Sequence, residues 1–230
     1  MKDGAGAWPA RQRAMERSYD ELRRDPAEAA RAFGYDYAPL APFLQGLRGR
    51  VLDVGGGLGV TRHWLAAGVR YALAEPSPSW GTPGWEHLAV TFPCLRERPA
   101  EVRAVGEALP FADGAFDAVL ALWTLNHARA PERMLEEAAR VLRPGGRLLL
   151  VLEDMEPSWE DLTGKRYPAG APHARRAALG KLLALVRGWP LQEDHVRIRE
   201  RDLRRWLSGR FVAVRRDWLG VYLGYEATRA

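Results

Sequence analysis

The sequence predicts one α/β domain built on a doubly wound, mostly parallel sheet of seven strands, with N-terminal helices and an antiparallel hairpin at the C-terminal edge. Three observations favour it. The 230 residues are 47 % hydrophobic and 27 % charged, which suits one folded domain with a substantial core. Apolar strand-like segments alternate with helical ones from residue 50 onward. No internal repeat, low-complexity tract or long linker divides the chain.

Residues 1–45 are predicted to form a helical cap. Asp25 followed by Pro26 is typical of an N-cap residue and a proline in the first helical turn. Apolar residues recur near helical spacing at Met15, Tyr19 and Leu22. We therefore expect short helices before the first strand.

Residues 46–153 are predicted to form the parallel core. The predicted strands are residues 51–54, 71–75, 101–105, 116–122 and 147–153. A helix is expected at 61–68, and another begins at Pro131 and ends before Pro144. Continuous apolar character in the last strand indicates a strand covered on both faces.

Residues 154–230 are predicted to hold a lid and the final strands. The stretch 155–172 contains prolines and glycines without periodicity, as functional lids often do. A helix follows with one apolar face made of Leu179, Leu182, Leu183 and Val186. A short helix is expected at 200–207, and strands at 211–218 and 221–229 should form an antiparallel edge pair.

Composition excludes several classes of protein. The longest apolar runs, 118–122 and 148–152, are far shorter than the roughly 18 residues of a membrane span. Residues 1–13 lack the apolar stretch of a secretory signal, so a cytoplasmic location is expected. The single Cys94 permits neither an internal disulfide nor a cysteine-rich zinc site, and no metal is expected.

The charge balance does not favour nucleic acid as a partner. Lys and Arg number 34 against 29 Asp and Glu, which gives a net charge of +5. Residues 51–150 carry 10 basic and 11 acidic residues, so the central segment is not basic. A dedicated nucleic-acid surface is therefore not expected. The sequence leaves the oligomeric state open.

The most informative segment is a glycine loop directly after the first predicted strand. Asp53 precedes glycines at 55, 57 and 59 in the pattern D-x-G-x-G-x-G. Glycine lets the backbone approach a ligand closely, and a helix after the loop would direct NH groups at an anion. Glu75 ends the next strand, where a carboxylate can accept hydrogen bonds from a ribose. The sequence therefore predicts a nucleoside site, while Val60 stands where a dinucleotide fingerprint needs glycine.

This loop and the blocks after it resemble the class I S-adenosylmethionine-dependent methyltransferases, specifically the type 11 branch that includes quinone-biosynthesis methyltransferases. The resemblance covers residues 45–153. Beyond the loop it depends on residues 107–111, 113–119, 125–127 and 140–148. It implies a Rossmann-like fold, S-adenosylmethionine as cofactor, S-adenosylhomocysteine as product, and a methyltransferase activity.

The resemblance also implies the cofactor site. The residues assigned to it are Asp53, Gly55, Gly56, Gly57, Glu75, Pro76, Gly106, Glu107, Leu122 and Trp123. Asp53 and the loop backbone would hold the methionine part, and Glu75 the ribose. Val105 stands where the family commonly has an acidic residue for adenine, so backbone groups around Gly106 would replace it.

On the acceptor side the candidates are Tyr19, His127 and Trp159. His127 follows the fourth strand at the ligand edge and is the candidate general base; a loop histidine without a catalytic role is the alternative. His173 and His195 lie outside the matched region. The expected acceptor is a small molecule, and methylation of oxygen, nitrogen or carbon stays open. A non-catalytic cofactor-binding protein and an RNA or protein methyltransferase are the alternatives.

Overall fold

The computed structural model describes residues 7–81, 83–153, 179, 183, 186, 195–196, 198–219 and 222–230. Its seven strands are β1 (Arg50–Val54), β2 (Arg70–Ala74), β3 (Ala100–Val102), β4 (Phe116–Leu122), β5 (Leu142–Leu152), β6 (Phe211–Leu219) and β7 (Tyr222–Arg229). They form one sheet in the order β3-β2-β1-β4-β5-β7-β6. β1 to β5 pair in parallel, and β7 is antiparallel to both β5 and β6. The predicted mixed sheet with its antiparallel edge pair is confirmed.

Helices cover both faces of the sheet. They are α1 (Ala7–Arg24), α2 (Pro26–Tyr37), α3 (Ala41–Gln45), α4 (Pro131–Val141) and α5 (Glu200–Leu207). One core joins α4 and α5 to the sheet, with Met134 and Leu203 fully enclosed. The other core packs α2 and α3 on the opposite face through Tyr37 and Leu44. None of the helices in the described part of the chain is long and apolar enough to cross a membrane.

The α2 start follows the prediction, because Asp25 accepts a hydrogen bond from the backbone NH of Glu28 and Pro26 occupies the first turn. Helix α1 is different in its packing. None of the α1 side chains that the structure describes is fully buried, and Tyr19 and Leu22 are half-buried against a core cluster. Weak burial makes a helix easy to displace.

The prediction of a helix at residues 61–68 is wrong. Residues Val60–Trp64 form a short 3-10 helix, and Leu65 is already extended. Two β-branched residues, Val60 and Thr61, disfavour an α-helical start, and the Thr61 hydroxyl bonds to Asp53 instead of remaining on a helix face. The β2–β3 connection likewise contains 3-10 segments, at Pro78–Gly81, Glu86–Val90 and Pro93–Arg96.

Two strand ends also differ from the prediction. β3 ends at Val102, because the chain turns at Val105, whose carbonyl accepts from Ala108. β5 begins earlier, at Leu142, which pairs with Phe116 before a register shift. Further along, Leu179, Leu183 and Val186 are helical, as expected, but their side chains are exposed. Leu182 lies outside the described residues.

Candidate active site

The candidate site lies at the carboxyl edge of the parallel strands. Val54 pairs with Ala74, and Leu122 pairs with Val151, so β1, β2, β4 and β5 all end at one edge. Ligands of open α/β sheets bind outside this edge. The loops that carry the predicted site residues leave from here.

The glycine loop needs glycine for two separate reasons. Gly55, Gly57 and Gly59 have φ values of +71°, +57° and +72°, which other L-residues rarely adopt. A Cβ on Gly55 would lie 2.4 Å from a methyl carbon of Thr124, and one on Gly57 would lie 3.0 Å from the ring of Trp80. The loop thus passes directly beneath neighbouring side chains.

Glu75 is held at the end of β2 by the loop backbone. Its carboxylate accepts hydrogen bonds from the backbone NH of Gly57 at 3.0 Å and of Ser77 at 2.8 Å. Burial nevertheless raises the pKa of Glu75 to about 7, since the two hydrogen bonds offset only part of the desolvation. The carboxylate is oriented and can change its proton occupancy near neutral pH.

Asp53 faces away from the cavities. Its carboxylate accepts from the Thr61 hydroxyl at 2.7 Å and the Tyr71 hydroxyl at 2.8 Å. It lies against Gly56, where a Cβ would come within 2.5 Å of it. Burial raises the pKa of Asp53 to about 6, and the two hydroxyl bonds oppose that shift. Both hydroxyls bond to the same oxygen, Oδ2, while Oδ1 has no hydrogen-bond partner among the described residues. The contact with a cofactor that the resemblance implies stays a prediction.

A first cavity of about 70 Å³ opens beside Glu75. Its lining includes Gln12, Met15, Tyr19, Gly55, Glu75, Pro76, Val105, Gly106, Glu107, Trp123, Thr124, His127 and Met134. The Glu107 carboxylate is fixed by the backbone NH of Ala130, at 3.0 Å. The acidic group at a strand end together with the loop after β3 is the lining expected of a nucleoside site.

A second cavity of about 250 Å³ lies on the other side of the glycine loop. Its lining includes Phe33, Asp36, Tyr37, Gly55, Gly56, Gly57, Trp80, Leu122, Trp123, His127, Glu153 and His195. The two cavities share Met15, Tyr19, Gly55, Trp123 and His127. Neither described lining includes Arg or Lys. A compact, partly acidic and aromatic space thus adjoins the nucleoside-type cavity.

Aromatic side chains enclose the junction of the two cavities. Tyr19 from α1 packs against Trp80, with ring centroids 4.1 Å apart. Trp123 has a φ of +56°, a strained conformation for a bulky residue, and packs edge-on between Tyr37 and Tyr222. Its buried indole NH has no hydrogen-bond partner among the described residues. A donor is therefore available to a ligand at this junction.

Three polar side chains meet in the lining of the second cavity. The Nε2 atom of His195 lies 2.8 Å from a carboxylate oxygen of Glu153, and Nε2 of His127 lies 3.8 Å from the same oxygen. The two imidazole rings are edge-on, 4.6 Å between centroids. This arrangement can bind a cation or accept a proton.

The structure brings most of the predicted site together. Of the ten residues assigned to the cofactor, all but Asp53 line one or both cavities, and Tyr19 and His127 line both. Trp159, His173 and the proposed lid at 155–172 lie outside the described residues. The functional assignment of every one of these residues remains a prediction.

The sequence places the loop that begins at Glu153 at the ligand edge, but it assigns no role to Asp36 or Glu153 and does not pair either histidine with Glu153. Glu153 carried a usable signal, since it is the first residue after β5 and so must leave the ligand edge. No sequence signal places Asp36 in the site, because α2 is distant in sequence from the strand ends and reaches them only through folding. Its carboxylate accepts from the Tyr222 hydroxyl at 2.9 Å.

The central segment of the chain is similar to known proteins. Residues 52–150 match the family model described as a methyltransferase domain. A protein of Mycolicibacterium gilvum (strain PYR-GCK), named an uncharacterized methyltransferase, is 43 % identical over 102 residues. That match covers 44 % of this chain and 37 % of the relative, so the chain spans well under two thirds of that relative's length.

Solved structures share the fold over nearly the whole chain. One from Thermotoga maritima is described as a SAM-dependent methyltransferase, possible histamine N-methyltransferase; it has a TM-score of 0.61 at 18 % identity and covers 95 % of this chain and 99 % of its own. The 1,6-didemethyltoxoflavin-N1-methyltransferase of Burkholderia thailandensis has a TM-score of 0.57 at 20 % identity, covering 95 % and 88 %. Residues 52–150 are thus similar to a methyltransferase domain, and the chain has the fold of these two methyltransferase structures.

Proposed function

We propose that the chain is an S-adenosylmethionine-dependent methyltransferase that acts on a small-molecule acceptor. The observation that carries the proposal is the meeting of two unlike cavities at Gly55, Trp123 and His127. One cavity has the lining of a nucleoside site, and the other has the size and polarity of a small-ligand site. A methyl donor and an acceptor need such adjoining spaces.

The residues present fit the cofactor. Glu75 offers an oriented carboxylate for the ribose, Gly106 and Glu107 offer backbone groups for the base, and the glycine loop would accommodate the methionine part. The unpartnered indole NH of Trp123 lies where the two cavities meet. When bound, S-adenosylmethionine supplies an electrophilic methyl group whose transfer leaves the neutral thioether S-adenosylhomocysteine.

Helix α1 controls access in this proposal. The first cavity, at about 70 Å³, is smaller than a nucleoside requires, and Met15 and Tyr19 of α1 line both cavities. No described α1 side chain is fully buried, so outward movement of α1 would break mainly the partly buried contacts of Tyr19 and Leu22 with the neighbouring core cluster. Its return would exclude water from the reacting groups. The N-terminal cap predicted from the sequence would thus act as a lid.

The protein's own task is alignment and control of a proton. Holding donor and acceptor in line can supply roughly 7 to 11 kcal/mol of the barrier. If the acceptor carries a proton, an imidazole nitrogen of His127 or a group next to it must remove or displace that proton. The absence of Arg and Lys from the described linings supports a small acceptor over a polyanionic one such as RNA.

Calorimetric titration with S-adenosylhomocysteine tests the proposal, with NAD as the control nucleotide. We expect micromolar-range binding of the first and none of the second. Incubation with methyl-labelled S-adenosylmethionine and fractionated small metabolites should then give a labelled product. Binding without transfer to any fraction would favour the non-catalytic alternative, and tighter binding of NAD would refute the nucleoside assignment.

A further inference from the structure

The cluster of His127, Glu153 and His195 comes from three separate segments of the chain. One atom from each, an imidazole nitrogen or a carboxylate oxygen, lies within 4.8 Å of the other two. The side chain of His195 is 1 % exposed, that of His127 19 % and that of Glu153 33 %. The cluster is therefore sheltered on one side and open to the second cavity on the other.

The backbone holds the two histidines in place. Asn126 accepts a hydrogen bond from the backbone NH of Val196 through its own carbonyl, at 2.6 Å, and its side-chain amide donates to the Val196 carbonyl at 3.2 Å. Each of these residues is next in sequence to one of the histidines. The clamp thus fixes the separation of His127 and His195 independently of any bond between the imidazoles.

The donor set suits a divalent transition metal. Two imidazoles and one carboxylate are the three protein ligands of one type of catalytic zinc site, in which a fourth position stays open. With zinc–ligand bonds of about 2.0–2.1 Å, tetrahedral ligand atoms lie about 3.4 Å apart. The Glu153 oxygen lies 2.8 Å from His195 Nε2 and 3.8 Å from His127 Nε2, on either side of that value, and all three side chains offer ligand atoms within 4.8 Å of one another.

Charge in the second cavity favours a cation as well. Asp36 and Glu153 both line it, and no described lining residue is Arg or Lys. Two carboxylates in a partly enclosed space are stabilised by a bound cation more than by solvent. The Asp36 carboxylate accepts a hydrogen bond from Tyr222 and is not part of the cluster. It would attract a cation electrostatically without binding it as a ligand.

We propose that His127, Glu153 and His195 bind one divalent zinc-type ion, with its open position directed to the second cavity. In combination with the proposed function, on which this step depends, the open position would take the hydroxyl or thiol of the acceptor. Coordination lowers the pKa of that group, and its proton is released to solvent water as the oxygen or sulfur binds. The acceptor is then an anion beside the cofactor cavity, and His127 acts as a ligand and not as a general base.

Zinc titration of the chelator-stripped full chain, without cofactor, tests the site directly. A chromophoric chelator competing for Zn²⁺ should report one tight equivalent in the wild type. His195→Ala and Glu153→Gln should each weaken binding roughly 100-fold or more, since each removes one of three ligands. His63→Ala, at an exposed histidine far from the cluster, is the matched control and should bind like wild type.

A second measurement keeps the test valid if a variant folds poorly. Zinc should raise the unfolding temperature of the wild type and of His63→Ala but not that of Glu153→Gln. Co²⁺ in the wild type should give the visible absorption of a four-coordinate site, and that absorption should be lost in His127→Ala. Binding weaker than the chelator, or equal binding by wild type and Glu153→Gln, would overturn the metal site. Because no cofactor is present, that result would leave the S-adenosylhomocysteine titration unaffected, and failure of the latter alone would overturn only the proposed function.

Discussion

Replacement of Glu75 by glutamine should change both the pH dependence of cofactor binding and the pH dependence of protein stability. Burial raises its pKa to about 7, so wild-type protein carries this group partly protonated at neutral pH. Hydrogen bonds from ribose hydroxyls would favour the ionised form. Cofactor binding should therefore draw a proton off Glu75, and affinity should increase as the pH rises.

The magnitude follows from that pKa. With an ionised carboxylate required, affinity for S-adenosylhomocysteine should rise about 30-fold between pH 5.5 and pH 8. Glu75→Gln should bind more weakly at pH 8 by roughly 1.5–3 kcal/mol, the range for hydrogen bonds to a charged group, and its affinity should lose most of the pH dependence. Asp53 and Glu101 also act on Glu75 electrostatically, and both raise its pKa.

The stability of the unliganded protein should fall as the pH rises, whereas the cofactor affinity rises. The folded pKa lies above the ordinary value of 4.5, so the folded state binds more protons and wild-type stability falls as the pH rises from about 4.5 to 7. The stability of Glu75→Gln relative to wild type should therefore increase by about 3 kcal/mol between pH 4 and pH 8.

Calorimetry across pH, in buffers of different ionisation enthalpy, measures both affinity and proton release, and urea unfolding measures stability. Glu132→Gln is the matched control, because it removes an exposed carboxylate that is not among the groups acting on the pKa of Glu75. A flat affinity profile in wild type, or the same slope in Glu75→Gln, would refute the reasoning.

Two further predictions concern stability, both measured by urea unfolding. Gly55→Ala should lower the free energy of unfolding by at least about 2 kcal/mol more than Gly68→Ala. Both positions have positive φ, but only at Gly55 would the Cβ collide with Thr124. Equal losses of stability would contradict the steric argument. Arg140→Met should cost up to about 3 kcal/mol at pH 7, because the buried Glu137 carboxylate loses both 2.9 Å hydrogen bonds from Arg140 and keeps the longer contact with Arg133, at 3.4 Å. Arg140 lowers the pKa of Glu137 in the folded state, so this stabilisation is present above about pH 4.5 and lost as the pH falls; a cost that does not shrink in acid would contradict it.

The sheet and the glycine loop could be predicted because their signals are local. Apolar runs such as 116–122 and 147–152 mark buried parallel strands, and the glycines at 55, 57 and 59 occupy positions where φ is indeed positive. Glu75 could be placed at the ligand edge because it ends a strand. In each case a few adjacent residues determine the local backbone.

The errors arose where tertiary contacts override local pattern. Residues 61–68 have helical spacing, yet Thr61 is bonded to the buried Asp53, and the chain makes one 3-10 turn instead. The cluster at the acceptor side was missed for a similar reason. His127, Glu153 and His195 belong to three segments, and the two hydrogen bonds between Asn126 and Val196 help to bring the last of them to the sheet edge.

The two acidic residues of the nucleoside motif show why residue type alone does not assign a role. Asp53 and Glu75 are both buried, and burial raises the pKa of each, to about 6 and about 7. The bonds of Asp53 are to hydroxyls beneath the loop, which makes the loop dependent on it. Glu75 is bonded by backbone NH groups and lines the cavity, so its carboxylate can also accept from a ligand. Loss of Asp53 should therefore weaken binding by disordering the loop, whereas loss of Glu75 removes a contact from a loop that stays in place.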